Sequence, residues 1–599
     1  MRFSPFIFPL LVGLTGCQST PETPASLAEF FETSFQEDLQ ESPQRMTYLG
    51  IKTDYDKLDD ISEASSKKEY QRRLARLAAL RKYFSLTSLN GQDRLSYQLF
   101  EADLENDIEG YQYRHHNYPV NQMFGLQSQL PAFMINMHQI ASEDDANAYI
   151  SRLKQVDEQF TQLITNLKIR ETKGIIPPAF VYDKVITDSQ NLLKGYPFER
   201  TATPSTLFQD FKGKVKKLQL SNDQKASLLK AAQSALENDV ANGYRSLISY
   251  MTQLKSKAPK NVGAWTLPNG DEFYRFRLKT MTTTDLSPEQ VHKIGLNEVA
   301  RIHKEMDQIR KKVKFRGDLN RFFTYIRTDD KFYFPQSEKG KQQYLNETRR
   351  IISEIEKAVP KVFGILPKAG LEVKPVESFR EASAGIAFYN SPSLDGKRPG
   401  IYYVNLYDLK QVPRYEMEAL AYHEAIPGHH FERSISQELE SLPKFRRLSG
   451  YTAYTEGWGL YSEKLPKEMG FYKDPYSDFG RLSMELWRAT RLVVDTGIHW
   501  KKWSRQEAID YLMDNTPSDK GEVVKAIDRY IVMPAQATAY KIGMLKILEL
   551  REKAKKNLGK DFKLSDFHDQ ILKNGPLPLD ILEQEFDQWL ASKKTPKKT

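Results

Sequence analysis

The chain has 599 residues, 40% hydrophobic and 12% aromatic, which is too long for one small domain and ample for a large buried core. The formal net charge is +9, but 87 Lys and Arg are spread among 78 Asp and Glu; with no basic patch interleaved with aromatics, no nucleic-acid partner is expected. A single cysteine rules out an intrachain disulfide.

The N-terminus has the layout of a secretory signal: Met1-Arg2, an apolar run from Phe3 to Gly13, then Leu14-Thr15-Gly16 before Cys17. The small residues ending in cysteine resemble a bacterial lipobox. Residues 1–16 are therefore expected to be a signal peptide and Cys17 a lipidation site. Residues 17–26, rich in Ser, Thr and Pro, would be the tether. Gln18 resembles the outer-membrane sorting pattern, so a bacterial envelope protein is expected, held to the membrane by its lipid and facing the periplasm. No other run approaches the ~20 apolar residues that a spanning helix needs.

Residues 27–48, 66–84, 92–109, 143–171 and 222–256 carry apolar positions at three- and four-residue spacing, which predicts a helical N-terminal lobe over 27–256. Composition shifts at 257–285, and the second, catalytic lobe is placed at 257–599. Asn269-Gly270 followed by the alternating run Phe273 to Leu278 predicts a hairpin. Ser287, Pro288 and Gln290 form a helix start that runs to about Val313. A further helix is expected over 339–359, and strands over 371–376, 385–389 and 400–406. The expected fold is mainly α: a large two-lobed helical body with a small β-sheet beside an active-site cleft.

Three of the ten histidines fall within Tyr422-His423-Glu424-Ala425-Ile426-Pro427-Gly428-His429-His430. Imidazoles ligate zinc, and a carboxylate beside a metal-bound water serves as general base. Residues 414–426 read as a helix with His423 and Glu424 near its end. In the common zincin spacing a second histidine sits four residues on, where this chain has Pro427. A two-residue bulge at Pro427-Gly428 would bring His429 one turn beyond His423, with His430 as the reserve ligand. The third ligand of an open zinc site is expected from Glu456, 33 residues beyond His423, and Glu463 is placed to orient a ligand histidine. Gly457 and Gly459 would allow close helix approach. The bland alternative is a proline-broken loop without metal, with Glu456 and Glu463 as solvated charges.

His423 to His430, together with Glu456-Gly457-Trp458-Gly459-Leu460-Tyr461-Ser462-Glu463, resembles the bacterial family known as domain of unknown function 885, grouped with gluzincin metallopeptidases. Ala387 to Tyr389, Pro392 to Asn405, Arg488 to His499 and His568 to Pro578 also fit. Glu456-Gly457-Trp458 is similar to the turn that supplies the third zinc ligand in gluzincin aminopeptidases. The Pro-Gly insertion departs from the usual zincin spacing. Helical relatives resembling angiotensin-converting enzyme and thimet oligopeptidase cleave short peptides in a deep channel, and the resemblance implies a similar shape. They use a tyrosine and a histidine against the oxyanion, which makes His499, Tyr530 and Tyr540 candidates here.

The expected activity is hydrolysis of short peptides by zinc-activated water with Glu424 as base. A non-catalytic binding lipoprotein, or a hydrolase of non-peptide amides, is the alternative. Residues 401–406 are expected at a sheet edge where an extended peptide could pair. Arg488 and Arg491 are expected to pair with Glu485 and Asp495 rather than with a substrate carboxylate.

Overall fold

Local signals set most helix starts. In the computed structural model, which describes residues 24–376, 381, 385–394 and 398–594, Ser287 caps the helix Pro288–Lys312. Its side chain accepts from the Gln290 amide, and the Gln290 side chain returns the bond to the Ser287 amide. The signal peptide and Cys17 lie outside the described residues. No helix among those described is long and apolar enough to cross a membrane.

The periodic stretches are helical, but three of them are divided. Residues 27–48 break at Ser42-Pro43 into Leu27–Gln40 and Pro43–Tyr48. Residues 143–171 break at Gln155, and residues 222–256 pass through a π turn at Leu236–Val240. The expected hairpin near 270 is instead the helix Gly270–Thr282. Asn269 adopts a left-handed conformation, φ 49°, but as the residue before a helix rather than the corner of a hairpin. Phe273, Tyr274, Leu278 and Thr282 are buried at helical spacing, so the two-residue alternation was the misleading period.

The three strands form where expected: β1 (Leu371–Pro375), β2 (Ala387–Asn390) and β3 (Gly400–Val404). Their order is β1-β3-β2, with β1 parallel and β2 antiparallel to β3. The strand holding Ile401 is therefore central, not at an edge; among the described residues β1 and β2 are the edges, and β2 is the one that reaches the cavity described below. Three buried positions out of the first three in β3 fit a strand covered on both faces.

The largest apolar core runs from Leu58 to Leu590 and so draws on both sides of residue 257. A second core joins the 288–312 and 319–328 helices to Phe479, Leu482 and Leu486 on the long helix Pro475–His499. Glu485 ties this region together. It accepts from Lys541 Nζ at 2.7 Å and also pairs with Arg301 and Arg481. Burial disfavours its charge, but those cations hold its carboxyl well below the usual range. The helix Thr452–Glu468 packs along Ala539–Leu558, and Gly457 meets Gly543 so closely that a Cβ on Gly457 would lie 2.5 Å from the facing backbone.

Candidate metal centre

The helix Met417–Glu424 ends at Ala425, whose φ of −104° and ψ of −106° leave the helical region. Pro427 lacks the amide to continue the ladder, and a new helix, His429–Glu438, begins two residues later. Only glycine fits at 428: a Cβ there would lie 1.9 Å from the His423 carbonyl oxygen. Trp458 Nε1 and Ser462 Oγ both donate to the Pro427 carbonyl, at 2.8 and 3.2 Å. The helix that carries Glu456 therefore also holds the kink.

The kink turns His429 towards His423, and their rings meet edge to face at 4.6 Å. Glu456 Oε2 lies 3.6 Å from His423 Nε2 and 3.5 Å from His429 Nε2. One ligand atom from each of the three side chains falls within 4.8 Å of the others, the one such group of potential metal ligands found among the described residues. Gly459 completes the approach, since a Cβ there would sit 2.7 Å from His423 Cε1.

The electrostatics are those of mutually stabilising histidine and carboxylate charges. Burial disfavours charge on His423, but Glu456 and Glu463 raise its pKa to about 10. Burial pushes Glu456 up, and the two histidines pull it well below the ordinary value. His423 Nδ1 is 2.7 Å from Glu463 Oε1. A carboxylate only accepts, so Nδ1 carries the proton and Nε2 is left as the ligand atom. Glu456 Oε2 and His429 Nδ1 are buried without a hydrogen-bond partner. These donors fit zinc by type and number, leaving a position open for water.

Glu424 is 8% exposed and lines a cavity of about 720 Å³ together with His423, His429 and Glu456. β2 forms part of the same wall through Ala387 to Tyr389. His430 is turned away from the cluster. Its Nδ1 lies 2.9 Å from Tyr389 Oη and 3.3 Å from Ser434 Oγ, and burial lowers its pKa to about 4. The reserve ligand is thus a buried partner of the β2 tyrosine.

The oxyanion candidates separate. Tyr540 lines the cavity. His499 is fully buried away from it: Nδ1 accepts from the Ala264 amide at 2.9 Å, and Nε2 donates to the Tyr530 carbonyl at 3.0 Å. Both ring nitrogens are occupied, and the role expected of it is not available. Tyr530 is also buried outside the cavity lining, its hydroxyl accepting from Arg491 Nε at 2.9 Å. Arg488 and Arg491 do not pair with Glu485 or Asp495. Glu485 is taken by Arg301, Arg481 and Lys541, while Asp495 accepts from Tyr274 Oη and the Ala535 amide.

Three residues escaped the sequence reading. Glu416 and Glu522 line the cavity, and burial raises their carboxyls to about 8 and about 7. Glu432, three residues beyond His429, is 1% exposed with neither oxygen hydrogen-bonded. Its i, i+3 spacing from His429 was the available signal.

Fold and site together define a mainly helical protein with a His, His, Glu cluster over a deep cavity. The chain belongs to the family of bacterial proteins of unknown function DUF885, which matches residues 43–586. A candidate lipoprotein from Colwellia psychrerythraea is similar in structure, with 31% identity and a TM-score of 0.89 over 94% of this chain and 99% of that one. A candidate lipoprotein of unknown function from Shewanella oneidensis shares the fold at 21% identity and a TM-score of 0.72, again over 94% and 99%. No curated protein matches the chain.

Proposed function

We propose that this protein is a zinc-dependent peptidase of the bacterial cell envelope that hydrolyses short peptides, built as a two-lobed helical metallopeptidase-like body around its cavity. The observation that carries the reading is the meeting of His423, His429 and Glu456 across a broken helix, with Glu424 lining the same cavity. His423, His429 and Glu456 would hold the ion. When bound, zinc lowers the pKa of a water ligand to about 7 and polarises a carbonyl.

The chain's own groups supply the rest. Glu463 fixes the His423 ring through Nδ1. Glu424 takes a proton from the attacking water and returns it to the leaving amine. Tyr540 is the candidate donor to the oxyanion that remains at the cavity. The β2 edge along the wall suits an extended peptide. A pure binding protein has no use for a carboxylate base beside such a cluster, which favours catalysis over a scaffold role.

The envelope assignment rests on the Leu14-Thr15-Gly16-Cys17 segment and on the candidate lipoproteins among the structural relatives. Lipidation at Cys17 is read by fatty-acid labelling, which a Cys17→Ala variant should abolish.

The activity is tested by metal analysis of the purified protein and digestion of a mixed peptide library by wild type and Glu424→Gln. Stoichiometric zinc in both, with peptide cleavage only in wild type, is the expected result. Full activity in Glu424→Gln removes the assigned base. Metal without cleavage of any peptide returns the protein to a binding role or to non-peptide amides.

A further inference from the structure

Arg491 is a buried guanidinium that forms no ion pair among the described residues, although Glu456 and Glu522 on the same cavity wall act on its charge from a distance. It is 8% exposed, stands on the 475–499 helix, and lines the same cavity as His423, Glu424 and Glu456. Its Nε donates to Tyr530 Oη at 2.9 Å, and its guanidinium carbon lies 4.6 Å from the centre of the Tyr540 ring and 5.7 Å from that of Tyr530. These contacts fix the plane of the group without neutralising it. Nη1 is buried with no hydrogen-bond partner, and no carboxylate forms an ion pair with Arg491 among the described residues.

The carboxylates nearest in sequence are committed elsewhere. Glu485 serves three cations, and Asp495 is bonded to Tyr274 and Ala535. Of the other arginines of this wall, Arg488 pairs with Glu463 Oε1 at 3.6 Å and donates Nη1 to the Met484 carbonyl at 3.2 Å, while Arg529 Nη2 donates to Gln536 Oε1 at 2.8 Å. A buried charge without a close partner costs stability, and one that faces a cavity is available to an anionic group that enters it. The guanidinium fork matches a carboxylate through two parallel hydrogen bonds.

We infer that Arg491 is the receptor for a carboxylate on the molecule that enters this cavity, either the free C-terminal carboxylate of a peptide or an acidic side chain. That the molecule is a peptide rests on the function proposed above; that it carries a carboxylate rests on Arg491 alone. Tyr530 then becomes a positioning residue. By occupying Nε it leaves the Nη edge of the guanidinium for the ligand.

The experiment uses the full chain carrying Glu424→Gln, so that binding is read without turnover. Calorimetry compares three probes: tetra-alanine as the free acid, tetra-alanine amide, and the same amide with one internal alanine replaced by glutamate. The free acid or the glutamate amide should bind about tenfold or more tightly than the plain amide. Which of the two does so assigns the terminus or the side chain as the source. Adding Arg491→Gln should erase the preference, and Arg491→Lys should restore part of it, with thermal unfolding confirming that each variant is folded. Equal binding of all three probes, no measurable binding of any, or a preference that survives Arg491→Gln overturns the assignment. Peptide cleavage by the wild type is scored separately. A carboxylate preference without cleavage refutes the peptidase and keeps the receptor, and cleavage without the preference does the reverse.

Discussion

The protein has a larger cavity than the one around His423, and the two are built differently. The larger, about 1120 Å³, is lined by residues of the 63–83, 91–110 and 270–282 helices, with Tyr451 and Lys546 from the far part of the chain. Many of its charges answer one another: Arg73 pairs with Glu69 and Asp107, Lys546 with Glu583, and the Asp103 carboxylate accepts from Tyr451 Oη. The smaller, about 720 Å³, holds Glu424 at its wall, a bare oxygen on Glu456 and a bare nitrogen on Arg491. Arg114 Nε and His116 Nδ1 at the larger cavity are also buried without a hydrogen-bond partner, so neither volume nor an unsatisfied atom singles out the site; the convergence of His423, His429 and Glu456 does.

Substitutions in the smaller cavity should break function in a graded way. Glu456→Gln has the largest effect: a neutral amide replaces the one carboxylate of the proposed ligand set, and both metal content and hydrolysis should fall to background in metal analysis and peptide assays. Glu424→Gln should keep its metal and lose about 10²–10⁴-fold in kcat, the usual worth of a general base. Metal lost along with activity in this variant would place Glu424 among the ligands instead. Glu463→Gln is milder. The His423 ring keeps a hydrogen-bond partner but loses the charge behind it, and a competition titration should show metal affinity reduced about 10–100-fold.

Much of this site was legible in the chain because His423, His429 and Glu456 lie on short, strongly signalled elements. The window from His423 to His430, the proline that breaks it, and Glu456 with Glu463 seven residues on were each readable, and the structure brings His423, His429 and Glu456 together. The strands were readable too, since Gly370, Gly385 and the Pro399-Gly400 pair mark their starts. What failed was long range. His499 and Tyr530 were picked for residue type and for lying downstream, but the fold spends the first on Ala264 and the second on Arg491. Two of the three partners of Glu485, Arg301 and Lys541, come from helices more than fifty residues away on either side, and no local pattern announces them. The helix at 270–282 was lost to a period-two alternation that is too short to outweigh burial at positions 273, 274, 278 and 282.

The larger cavity supplies the control and the smallest expected change. Burial raises the Asp103 carboxyl to about 7, against an ordinary value of 3.8, even though Tyr451 Oη donates to it at 3.0 Å. The folded state therefore binds this proton more tightly than the unfolded chain does. The stability it contributes is complete below about pH 3.8, declines as pH rises, and is gone above about pH 7. Asp103→Asn replaces the carboxyl with a neutral group that can still accept from Tyr451 and removes that slope. With the residue partly open to solvent, the difference should be about 1–2 kcal/mol, or about 1–3 °C in Tm for a chain of this size. Thermal unfolding at pH 5 and pH 8 should show a smaller drop in the variant than in wild type, while metal content and peptide cleavage stay unchanged. A loss of either would mean that the two cavities are coupled, and the contrast between them would have to be drawn differently.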